Sequence, residues 1–144
     1  MEKIVLLLLA VMGGAAVAMQ SQVNGGLGRK IGVLEGSFIS FLVGTLILFF
    51  AVLFFGKGNL LATFEVPNWQ LIGGLLGALY VAITIFAVPK IGVASTLIAV
   101  VAGQIVVGAI IDHFGLFGGT RIPIDLTKLF AICLLFAAIY LFNK

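Results

Sequence analysis

The sequence predicts an all-α membrane protein, a bundle of about five transmembrane helices, and three observations predict it. The chain is 62% hydrophobic and only 9% charged, against about 25% charged residues in a soluble domain. Its mean hydropathy is +1.33. Charge-free runs close to the roughly 20 helical residues needed to cross a bilayer recur from one end of the chain to the other. Too few polar residues remain to cover a surface facing water.

Spans are expected over 4–27, 36–56, 69–89, 91–111 and 126–142, forming a single domain of residues 1–144. Around the first span, Lys3, the leucine-rich run and Ala16-Val17-Ala18 resemble a secretory signal with its cleavage site. Apolar character continues to Val23 and Leu27, so a retained span is expected instead. The second span follows Glu35 and carries the small-residue row Gly36, Ser40 and Gly44, suited to close helix packing. Pro67-Asn68-Trp69 supplies a breaker, an N-cap candidate and an interfacial aromatic before the third span, which carries a second such row, Gly73 and Gly77. Pro89-Lys90-Ile91-Gly92 leaves almost no room before the fourth, which implies a tight antiparallel hairpin. Pro123 and Asp125 introduce the fifth, where Lys128 can snorkel from the first turn to the headgroups. Lys30-Ile31-Gly32-Val33 recurs as Lys90-Ile91-Gly92-Val93, each time between an odd and an even span, hinting at related hairpins.

A net charge of +3 and a pI near 9.3 do not mark a nucleic-acid binder, because the basic residues form neither patch nor stripe. Cys133 is the only cysteine, so no intrachain disulfide and no cysteine-based metal cluster can form; it is expected to pack in its apolar run. Five spans put the termini on opposite faces. Lys3, Lys57, Arg121 and Lys128 then lie on one face and Arg29, Lys30, Lys90 and Lys144 on the other. Orientation normally follows an excess of Lys and Arg on the cytoplasmic side, and an even division favours neither orientation. Insertion in both would let two copies pair about an axis in the membrane plane.

Polar groups inside spans are costly in lipid and so are functional candidates. Gln104 and Tyr80 fall near the midplane, and Thr84 lies one turn beyond Tyr80 on the same face. Gln20 and Asn24 are also four apart, while Ser37 and Ser40 enter from the Arg29-Lys30 side. Gln104, Tyr80, Gln20, Asn24, Thr84 and Ser40 are the expected solute contacts; interhelical hydrogen bonding is the competing role. Near the span ends, Asp112 and His113 are the better candidates for proton coupling, with Glu35 a third, although all three can also be ordinary loop groups. No carboxylate lies in mid-span, so a neutral, zwitterionic or weakly charged solute is expected, or else a site that borrows Glu35. With one histidine, no HExxH, no G-x-S-x-G and no P-loop, neither catalysis nor a cofactor is expected.

Gln20-x-x-x-Asn24, Ser37-Phe38 with Gly44, Gly73-Gly74 with Tyr80, and Gly103-Gln104 followed by Asp112-His113-Phe114-Gly115 together resemble the YdcZ-like family. These are small bacterial inner-membrane proteins of the drug/metabolite transporter superfamily, and the likeness runs nearly end to end. The resemblance implies a multi-pass inner-membrane protein whose five helices equal half of a ten-helix transporter, pairing as an antiparallel homodimer, with a paralogue, or as a fused chain. The first-helix glutamate of small multidrug exporters has no counterpart between Ile4 and Val23, which counts against proton-coupled polycation export. An alternating-access carrier is the leading reading; a non-transporting scaffold and a passive channel are its rivals.

Overall fold

The computed structural model describes residues 2–144, and five α-helices carry most of them: α1 (Glu2–Ile31), α2 (Val33–Phe55), α3 (Ile72–Ile91), α4 (Val93–Phe114) and α5 (Leu126–Phe142). Three short 3-10 turns, Leu60–Phe64, Asn68–Leu71 and Leu116–Gly118, complete the path. The segments Glu2–Ile31, Val33–Phe55, Asn68–Ile91 and Val93–Phe114 are each long and apolar enough to cross a membrane. The fifth helix is apolar but only 17 residues long, at the short end of what spans a bilayer.

Helix limits differ from the expected ones where backbone geometry outweighs composition. Arg29 and Lys30 lie on the last turn of α1, where the negative end of the helix dipole favours a cation. Glu35 is likewise inside the first turn of α2. Pro89 lies within α3 rather than ending it. Asn68 is not a cap: it begins the 3-10 turn, and Pro67 stands at the cap position without a side-chain bond. Asp125 does cap α5, accepting from the Lys128 N–H at 2.7 Å.

One glycine separates the helices at each copy of the repeated tetrapeptide. Gly32 has φ 106° and ψ 156°, and Gly92 has φ 85° and ψ 163°, a region open essentially to glycine alone. Both carbonyls accept from the residue four positions on, Gly36 N–H and Thr96 N–H respectively. The repeat therefore encodes the same helix-breaking turn twice.

The chain divides into two compact units, 1–90 and 91–144. In the first, α1 packs on α2 through a stripe of small residues. Ser21, Asn24, Gly25 and Gly28 are buried on α1, and Gly36 and Ser37 on α2. A Cβ on Gly36 would stand 3.2 Å from the Gly28 Cα, and one on Gly28 would collide with the Ile85 side chain. Val81, Thr84, Ile85 and Val88 form the buried stripe of α3, at the i, i+3, i+4, i+7 spacing of one helix face. Small residues let helices approach where no hydrophobic drive separates protein from lipid tails. Of the expected packing glycines, Gly77 lies against Phe41, whose ring a Cβ there would meet at 3.4 Å, whereas Gly44 and Gly73 have open space beside them.

In the second unit, α4 packs on α5 and on the following turn. Gly115 ends α4 in the left-handed conformation, its N–H reaching the Asp112 carbonyl, a common helix C-terminus. Cys133 is exposed, contrary to expectation, because α5 has no buried residue.

Candidate solute-binding site

In the first unit, polar side chains from α1 and α2 meet within the spans. Asn24 Nδ2 donates to Ser40 Oγ at 3.0 Å, bringing together two residues marked by the sequence. Beside them is a cavity of about 190 Å³. Gln20 lines it from α1, Ser40, Gly44 and Thr45 from α2, and Val81 from α3. Gly44 contributes space here rather than contact. Gln20 is exposed and forms no hydrogen bond among the described residues.

Tyr80 and Thr84 differ in availability although they share a face. The Tyr80 hydroxyl is buried and has no hydrogen-bond partner. Thr84 is buried and spends its hydroxyl proton on the Val81 carbonyl at 2.9 Å. Ser37 does the same with Val33 at 2.7 Å. Such back-bonds satisfy a hydroxyl inside its own helix, which leaves Tyr80 as the uncommitted group of the pair. Glu35 is exposed, its carboxylate beside the Gly32 turn.

In the second unit, Gln104 sits midway along α4, exposed and without a hydrogen bond among the described residues. At the end of α4, His113 Nδ1 accepts from the Ile124 N–H at 3.1 Å. Its carbonyl accepts from Arg121 Nε at 3.2 Å, so His113 fastens the α4–α5 connection. Asp112 holds the same connection with its backbone carbonyl, which accepts from Ile122 N–H at 2.7 Å. A cavity of about 310 Å³ lies here, lined by Ile105, Ala109 and Asp112 of α4, Ile122 and Ile124 of the connection, and Lys128 of α5.

Residues 5–141 match the family described as "Putative inner membrane exporter, YdcZ". The chain belongs to the YdcZ family. It is also 34% identical over 87 residues to the inner membrane protein YdcZ of Escherichia coli strain K12, a match covering 57% of this chain and 56% of that protein. The chain thus spans little more than half the length of this curated relative. No solved structure matches. Membership and the apolar helices make this YdcZ-family chain a multi-pass protein of the inner membrane, from a family of transporter type rather than of enzymes.

Chemically, the polar groups of this YdcZ-family chain offer neutral donors and acceptors. Among the described residues, no group of three His, Cys, Asp or Glu side chains could hold a metal ion. Two lining residues carry no clear signal in the sequence. Thr45 stands five positions after Ser40, outside the four-residue spacing of the small-residue row. Lys128 is expected from its position only to snorkel, yet its ammonium turns back to the Pro123 carbonyl at 2.8 Å and it lines the α4–α5 cavity beside Asp112.

Proposed function

We propose that this chain is the half-unit of a secondary transporter, moving a small neutral, zwitterionic or weakly charged solute outward by alternating access. In this reading α5 crosses the membrane as a fifth span, and two oppositely inserted copies enclose a site near the midplane, the arrangement of inverted-repeat carriers. The observation that carries the proposal is a set of hydrogen-bonding groups left uncommitted inside apolar helices: the buried Tyr80 hydroxyl and the amides of Gln20 and Gln104. An unsatisfied polar group in lipid is costly, so partners supplied by solute, water or a second copy account for their presence. Gln20 and Ser40 already share a cavity, and Asn24 holds Ser40 in position.

The rival reading, a non-transporting scaffold, draws support from the Asn24–Ser40 bond and the self-satisfied Ser37 and Thr84 hydroxyls, which act as glue between or within helices. Transport separates the two. Solutes that shift the melting temperature of the purified protein are tested for saturable uptake into proteoliposomes. Saturable flux lost in Gln20→Ala and Gln104→Ala at unchanged fold supports the carrier, and stabilisation without flux supports the scaffold.

A further inference from the structure

We infer that the α4–α5 cavity is a binding site for a small zwitterion with an apolar side chain, of the α-amino-acid type. This inference does not depend on the carrier reading. Its volume, about 310 Å³, is at the lower end of ligand pockets. Ile105, Ala109, Ile122 and Ile124 give it apolar walls, and Asp112 and Lys128 give it one charge of each sign.

Both charges are on the wrong end of their helices. Asp112 is in the last turn of α4 and Lys128 in the first turn of α5, where the dipoles disfavour a carboxylate and an ammonium respectively. Pairing with one another would relieve both, but among the described residues they form no ion pair. The Lys128 ammonium donates to the Pro123 carbonyl, one of its three N–H groups. Asp112 is exposed, and its carboxylate accepts no hydrogen bond among the described residues; its backbone carbonyl accepts from Gly115 and Ile122.

The neighbouring charges do not neutralise either group. Asp125 accepts from the Lys128 backbone N–H, Arg121 donates to the His113 carbonyl, and the His113 ring accepts from Ile124. A ligand whose ammonium reaches Asp112 and whose carboxylate reaches Lys128 satisfies both, and an apolar side chain fits the isoleucine walls. A lone cation or anion answers only half of the site.

Leucine serves as the probe, titrated calorimetrically into the full chain in nanodiscs beside 3-methylbutylamine, which lacks the carboxylate, and 4-methylpentanoate, which lacks the amine. Leucine is expected to bind saturably, and each analogue about tenfold or more weaker. Asp112→Asn and Lys128→Met are each expected to weaken leucine about tenfold, and the exchange Asp112→Lys with Lys128→Asp to recover most of the loss. Should a variant fail to fold, the analogue series on the unaltered protein decides alone. Absence of leucine binding, or equal binding of the amine, overturns the proposal. Leucine binding abolished by Gln20→Ala but kept in Asp112→Asn also overturns it, while leaving the carrier reading intact.

Discussion

The Tyr80 hydroxyl is buried with nothing to bond, a condition that costs about 1–3 kcal/mol. Tyr80→Phe removes that cost, so the variant is expected to be as stable as the unaltered protein or more stable, by up to about 3 kcal/mol, while losing saturable uptake. A loss of stability would mean that the hydroxyl has a structural partner. Asn24→Ala is expected to behave in the opposite way. It deletes the bond to Ser40 and should lower unfolding stability by about 0.6–2 kcal/mol, the range for interhelical polar pairs in membranes. Gln20, Asn24, Ser40 and Tyr80 were legible in the sequence because polar residues stand out in apolar runs. The partnership of Asn24 with Ser40 was not, since it depends on how α1 and α2 are rotated against each other. Nor did spacing reveal that Thr84 is satisfied by Val81 while Tyr80 is satisfied by nothing.

At the level of elements, the two glycine turns are the sharpest determinants. Gly32→Ala and Gly92→Ala each force a Cβ into a glycine-only conformation, expected to cost about 1–3 kcal/mol and to lower the melting temperature in detergent. At Gly32 the new Cβ would also run into the Glu35 carboxylate. Gly73→Ala, within α3 and with open space around it, is the control and should be neutral or slightly stabilising. Four spans and the Asp125 cap could be read from charge-free length and local chemistry. The boundaries at Ile31 and Pro89 could not, because a helix end near the headgroups can carry Arg29, Lys30 or Lys90 as readily as a loop can. Lys90 illustrates this: its ammonium sits 3.5 Å from the centre of the Phe86 ring, one turn back on α3, a cation–π contact that a helix surface allows.

For the whole molecule, the proposed pairing of opposed copies rests on the four-against-four distribution of Lys and Arg. A C-terminal reporter is therefore expected on both faces of the inner membrane. Adding two positive charges to the 56–67 connection, by Asn59→Arg and Thr63→Arg, should draw that connection to the cytoplasmic side and move the reporter to the other. A reporter confined to one face in the unaltered protein contradicts the self-paired arrangement, though a paralogous partner would still complete a carrier. The YdcZ family assignment could be read from the motifs themselves, and the match over residues 5–141 establishes it. Solute flux tests the central claim most directly. Initial uptake into proteoliposomes is measured against concentration for a solute that stabilises the purified protein. Saturation, with at least a tenfold loss in Tyr80→Phe and Gln20→Ala proteins that fold normally, is the predicted result; uptake that rises linearly or is indifferent to both substitutions contradicts it.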